Sequence, residues 1–167
     1  MMVRVGIGFR RLERADFPLL ARWQGEPHVA RWWGPGPDLA AFETEYGPGI
    51  DGTDPTQVFL AELEGRPAGL IQRYRNRDHP SWDQQVQVPN AVSIDYYLGE
   101  PHLIGKGIGP QMIAAFVEQL FAYDVDITRV TGGVLQANRP TGGGLGEAGV
   151  VLRRARARGV AAAAGRG

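Results

Sequence analysis

The stretch from Ala91 to Phe121 constrains this chain more than any other. It opens with AVSIDYYL, in which Val92, Ile94, Tyr96 and Leu98 share one face at the two-residue period of a strand. A short connector leads to Gly105, Gly107 and Gly109, each separated by one residue. Pro110 follows where a helix tolerates it, in the first turn, whose amides have no intrahelical acceptor. Met112, Ile113, Phe116, Val117, Leu120 and Phe121 then recur at helical spacing. The pattern predicts a buried strand from Ala91 to Leu98, a glycine loop and an amphipathic helix. A helix that starts among small residues presents free backbone N–H groups and the positive end of its dipole. That is an anion site, usually for phosphate.

Lys106, inside the loop, is the chain's one lysine among 18 basic residues. A compact ammonium on a flexible stem suits a phosphate met as a point charge. The alternative is a solvated loop lysine with no ligand. The loop is not a P-loop, because no Ser or Thr follows the lysine and the four-residue spacer is missing. Nor is it GxGxxG, because Pro110 stands three residues after Gly107.

This strand and glycine spacing resemble the acetyl-CoA loop of the GNAT acetyltransferases, Gln/Arg-x-x-Gly-x-Gly/Ala. Gly107 and Gly109 match the glycines, while Ile104 stands where Gln or Arg would be. That departure touches one side-chain contact and leaves the backbone cradle. Ile94-Asp95, the run from Leu103 to Gly109, and Arg31-Trp32-Trp33-Gly34 resemble the aminoglycoside 6'-N-acetyltransferase branch. Trp82 sits in the loop before the fourth strand, where that branch also carries aromatics. The resemblance runs from Phe9 to Asn138.

The resemblance implies an α/β GNAT fold, a mixed central sheet flanked by helices. It implies acetyl-CoA as co-substrate, with no metal, and a small cationic amine as acceptor. Cofactor contacts would come from Tyr96, Tyr97, Leu98, Gly105, Lys106, Gly107, Ile108, Gly109, Pro110 and Asn138. The acceptor would meet Trp33, Tyr74, Trp82 and Asp95, with Asp95 catalytic. Two family positions are unmatched: Leu145 stands where a tyrosine often protonates the departing thiolate, and Gly132-Gly133 where an Asp often meets the aminoglycoside.

The residues support part of this independently. Asp95 alternates with Ile94 and Tyr96 in a strand that is otherwise mostly apolar and aromatic. A carboxylate there is costly unless paired. Its partner is either a substrate ammonium or an arginine such as Arg73. Acetyl transfer needs a deprotonated amine, a polarised thioester carbonyl and the two held in line. Asp95 would orient the amine and take its proton, directly or through water. The amide after Leu98 is expected to polarise the carbonyl. Trp32 and Trp33 are adjacent, so one is expected to pack and Trp33 to line the acceptor pocket; for these and for Tyr74 and Trp82, core packing is the competing role. His28, His79 and His102 show no metal spacing and receive no role.

Along the rest of the chain, Gly8 to Leu12 reads as a strand. Asp16 reads as the cap of a helix to Gln24, with Phe17, Leu20, Ala21 and Trp23 on its apolar side. Pro35-Gly36-Pro37 breaks the chain, and Asp38 caps a helix through Tyr46. Thr56 to Leu63 and Ala68 to Tyr74 form a hairpin about the turn Glu64 to Pro67. Arg75 to Pro89 reads as a long polar loop, and Ile127 to Leu135 as a further strand.

A length of 167 residues and 43% hydrophobic content suit one domain with a real core. The domain is expected over 1–141. Residues 142–167 form an atypical segment dominated by Gly, Ala and Arg. Gly142, Gly143, Gly144 and Gly146 fall where the family has a helix, each at a cost of about 1 kcal/mol against alanine. The tail shows no alternation to supply final strands. It reads either as a natural flexible tail or as an altered reading frame past Asn138.

Formal net charge is zero, so no global field recruits nucleic acid or a membrane surface. The absence of cysteine excludes disulfides, thiolate metal sites and a cysteine nucleophile. With no secretory or membrane segment at the N-terminus, these features are compatible with a cytoplasmic protein, monomer or homodimer. The expected function is N-acetyl transfer from acetyl-CoA to a primary amine, the 6'-amine of an aminoglycoside. The alternatives are an acyltransferase for another amine, such as a siderophore hydroxylysine, or a non-catalytic CoA-binding remnant.

Overall fold

The computed structural model describes residues 6–34, 36, 38–132, 150–154 and 160–163. The chain forms two compact units, Met1–Gln72 with Tyr96–Ile113, and Arg73–Asp95 with Ala114–Gly167. Two strands, β3 (Arg66–Arg75) and β4 (Ala91–Leu98), contribute residues to both. No helix among the described residues is long and apolar enough to cross a membrane.

In the first unit, β1 (Ile7–Arg11) pairs antiparallel with β2 (Gln57–Leu63), from Ile7↔Leu63 to Arg11↔Phe59. Glu64 and Gly65, both at positive φ, turn β2 into β3, as a two-residue hairpin loop demands. The strand order is β1-β2-β3-β4. Three helices carry the core: α1 (Phe17–Gln24), α2 (Pro27–Trp33) and α3 (Leu39–Asp51). Phe17, Leu20, Trp23, Val29, Phe42 and Tyr46 from these helices cluster with Leu12, Val58, Leu60, Leu70 and Tyr97. Each such burial contributes about 1.5–3 kcal/mol before entropy is counted.

The helix signals hold with corrections. Asp38 caps α3, its side chain accepting from the Ala41 amide at 2.8 Å. Asp16 precedes α1 but does not cap it. Its carboxylate instead accepts from Arg10 at 2.7 and 2.8 Å and from the Glu13 amide at 2.9 Å. A charged, bidentate partner outbids a lone amide. α3 continues past Tyr46 through Pro48 to Asp51, because its buried side extends through Gly47 and Gly49. Gly49 lies so close to the Thr56 carbonyl that a Cβ there would stand 2.9 Å from it.

In the second unit, β4 pairs in parallel with β5 (Arg129–Gly132), from Ala91↔Arg129 to Ile94↔Gly132. A parallel pair needs a crossover, and α5 (Ile108–Tyr123), whose residues from Ala114 on lie in this unit, supplies it and buries Phe116, Val117, Leu120 and Phe121 here. The stretch read as a polar loop holds a 3-10 turn at Asn76–Asp78 and a helix, α4 (Pro80–Val86). Pro80 at its first position pre-sets the helical φ.

Beyond β5, the structure pairs β6 (Val150–Arg154) antiparallel with β5, and β7 (Val160–Ala163) antiparallel with β6. The expectation that the tail supplies no final strands is therefore corrected. Strand pairing is a backbone ladder, and an edge strand of small residues can join it without alternation. The helix expected over 137–149, with Asn138, Leu145 and its four glycines, lies outside the described residues.

Candidate active site

The first unit holds the glycine loop. β4 ends at Leu98, and the next amide, Gly99 N–H, donates to the Ala68 carbonyl of β3 at 2.8 Å. A Cβ on Gly99 would collide with the Trp23 indole. Glu100 accepts from Trp23 Nε1 at 3.0 Å and pairs with Arg22. Hydrogen bonding by Arg22, then by Trp23, holds this carboxyl below its ordinary value. The connector is thus anchored to α1. A 3-10 turn, Pro101–Leu103, leads to the glycines.

Gly105 and Gly107 have φ of 75° and 74°, in the left-handed region that side chains resist. Nothing lies within 4 Å of a Cβ built on either, so backbone conformation rather than crowding selects glycine there. Leu103 and Ile108, on either side of the loop, pack with Ala68 against Leu63 and Leu98. The loop is pinned at both ends while its glycine edge faces open space. The first helical amides of α5 lack intrahelical acceptors. These residues fit a pyrophosphate held by backbone N–H groups. Lys106 and Pro110 are exposed there, and Gly109 is half-buried. Ile104, in the place of the family's Gln or Arg, is 47% exposed.

The expectation for the carbonyl-polarising amide needs correction. The Gly99 amide is committed to Ala68 in the β3–β4 ladder. Successive residues of a strand direct their amides to opposite edges. The amide directed away from β3 is therefore that of Leu98. Tyr96 is half-buried, and Tyr97 packs its ring into the core against Trp23 (centroids 6.2 Å, 90°) and Trp33 (5.0 Å, 72°). Burial pushes both phenols up. Tyr97 can thus meet a cofactor through its backbone. Trp33 packs edge-on to Tyr97 while Trp32 lies under the Arg31 guanidinium at 4.9 Å; both remain half-buried.

The second unit holds Asp95, Tyr74 and Trp82. Tyr74 on β3 lies near enough to Asp95 on β4 for the carboxylate's charge to act on its phenol. Burial, then the Asp95 charge, push the phenol up, so it stays protonated. The Tyr74 ring meets His79 edge-on at 4.8 Å. Arg73, the alternative partner considered for Asp95, has its guanidinium 3.7 Å from Asp124, which also receives Arg75 at 2.9 Å.

Ser93, two residues before Asp95 and so on the same strand face, is a polar hub that sequence reasoning missed. It is fully buried. Its hydroxyl accepts from Trp82 Nε1 at 2.7 Å and donates to Asn76 Oδ1 at 2.7 Å, with Thr131 Oγ1 at 2.8 Å. Trp82 is therefore oriented by a hydrogen bond as well as by packing. The signal was present: a serine at the i−2 position from Asp95, in a strand whose other early residues are apolar. His28 was also passed over; its Nε2 lies 2.8 Å from the Leu98 carbonyl. Among the described residues, no group of three or more His, Cys, Asp and Glu side chains could hold a metal.

Comparison with known proteins bears on the family and the fold. The family model for the acetyltransferase (GNAT) domain matches residues 13–156. Two curated relatives, aminoglycoside N(6')-acetyltransferases type 1 of Klebsiella pneumoniae and Serratia marcescens, are each 28% identical over 128 residues. The match covers 74% of this chain and 63% of theirs, so the chain spans less than two thirds of those relatives. The crystal structure of aminoglycoside acetyltransferase AAC(6')-Ib with coenzyme A superposes with a TM-score of 0.71 at 27% identity, over 80% of this chain and 77% of that one. Its complex with coenzyme A and kanamycin gives 0.72 at 26% identity, over 81% and 78%. With the mixed sheet, the glycine loop and the family match together, the chain belongs to the GNAT acetyltransferase family.

Proposed function

We propose that this protein transfers the acetyl group of acetyl-CoA to a primary amine, with the 6'-amine of an aminoglycoside as the favoured acceptor. The observation that carries the reading is the loop of left-handed Gly105 and Gly107, set between the end of β4 and the start of α5. Its open glycine edge suits the pyrophosphate of CoA, with Lys106 as a neighbouring charge.

β4 then carries the chemistry in sequence order. Asp95 would receive the acceptor's ammonium, orient it and accept its proton. The Tyr74 phenol, kept protonated by burial and by the Asp95 charge, would donate to this carboxylate. The neutral amine nitrogen attacks the thioester carbonyl carbon, the carbon–sulfur bond breaks and CoA leaves as thiolate; water protonates the thiolate, and the second proton lost by the nitrogen passes to the hydroxide so formed. The Leu98 amide would donate to the carbonyl oxygen as charge develops on it. The likeness to aminoglycoside N(6')-acetyltransferases supports the aminoglycoside, and the AAC(6')-Ib complex with kanamycin supports a polycationic ring-bearing substrate.

A thiol-release assay with kanamycin against a panel of other primary amines tests this. Release of CoA with kanamycin well above the panel is expected. Preference for a hydroxylysine-type amine would move the acceptor to the siderophore class. CoA binding without release for any amine would leave a non-catalytic binder.

A further inference from the structure

We infer that His28, on α2, is a positioning residue for acetyl transfer, acting through the last peptide of β4. The inference rests on the acetyltransferase reading and adds to it a residue outside the glycine loop and outside Asp95. His28 Nε2 lies 2.8 Å from the Leu98 carbonyl oxygen. A carbonyl oxygen only accepts, so Nε2 must carry the proton. This fixes the neutral ring as the Nε2–H tautomer. On the other side of the same peptide, the Gly99 amide donates to Ala68 at 2.8 Å. The Leu98–Gly99 peptide is thereby held from both edges.

The consequence falls on Leu98. Its amide and carbonyl point to the same edge of β4, away from β3. An unmodified strand edge offers a donor and an acceptor from such a residue. Here His28 occupies the acceptor. Among the described residues, what Leu98 then offers on that edge is a donor, suited to the oxygen of a thioester carbonyl. The bond from His28 fixes the Leu98–Gly99 peptide, the plane next to the Tyr97–Leu98 peptide that carries that N–H, and so limits how far Leu98 can rotate between the two. Donors that stabilise developing charge gain most when their orientation is set before reaction.

The experiment pairs kinetics with a direct probe of the ring. Thiol-release rates and calorimetric CoA affinity are measured for the native chain, His28→Ala and His28→Gln. Long-range proton–nitrogen NMR reports the His28 tautomer with CoA bound. His28→Ala is expected to lower kcat about tenfold, the scale of one neutral hydrogen bond, with CoA affinity and the amine KM nearly unchanged. His28→Gln, whose amide N–H can replace Nε2–H, should recover most of the rate. The His28 ring should be the Nε2–H tautomer. Equal loss of rate in both variants together with lost CoA affinity would mark His28 as a packing residue and overturn the inference. So would an Nδ1–H tautomer, whatever the turnover. Absence of turnover in the native chain with every amine would overturn the acetyltransferase reading, while the tautomer would still decide the hydrogen bond.

Discussion

Asp95 and Gly107 divide the proposed labour at the level of single residues. Asp95 lies near the Tyr74 phenol and apart from the glycine loop in sequence, and the proposal gives its charge to the acceptor rather than to the phosphates. Asp95→Asn should lower turnover by on the order of a hundredfold, the usual scale for a lost general base, while leaving CoA affinity intact. Equal loss of both, read by steady-state kinetics and calorimetry, would make the carboxylate structural. Gly107 bears the opposite role. At φ of 74°, a β-branched residue is strained by on the order of 1–3 kcal/mol, even though open space surrounds the missing Cβ. Gly107→Val should therefore refold or displace the loop. CoA affinity unchanged by calorimetry would sink the loop assignment.

The elements show which signals a sequence carries plainly. β4 runs from Ala91 to Leu98 as its alternation predicts, and α5 covers the stripe from Met112 to Phe121. Those signals are strong because buried apolar residues repeat. α2 and α4 escaped notice because each is seven residues long, too short for periodicity to show; their mark is the proline at the first helical position, Pro27 and Pro80. Edge direction was also hidden. Alternation tells which face a side chain takes, but not which neighbour receives an amide, so it does not reveal that the Gly99 amide bonds Ala68. The buried hub at Ser93 depends on contacts among separate elements, which no local pattern encodes. Those contacts predict a large effect. Ser93→Ala leaves the Trp82 indole N–H and Asn76 without their shared partner, at about 1–3 kcal/mol. Urea denaturation should report the loss, and a stability within experimental error of the native chain would show that Ser93 is dispensable.

For the molecule as a whole, pH and ligand report the two kinds of coupling. Glu100 is held below the ordinary carboxylate value by Arg22 and Trp23. In the folded state it binds protons less readily than when unfolded. Its contribution is therefore complete above the unfolded carboxylate pKa and is lost as pH falls through the lower folded value. The melting temperature should decline through the acid range, and Glu100→Gln should flatten that decline. CoA supplies the second test. A ligand that binds only the folded chain at about a hundred times its Kd contributes about 2.7 kcal/mol. For a chain of this size, each kcal/mol moves the melting temperature by about 2–4 °C, so a rise of roughly 5–11 °C is expected. Asp95→Asn should keep the full rise, because it spares the loop. Gly107→Val should lose it, because it displaces the loop proposed to hold the pyrophosphate. A rise lost in Asp95→Asn but kept in Gly107→Val would reverse the assignment, placing the cofactor at Asp95 and leaving the glycine loop without a ligand.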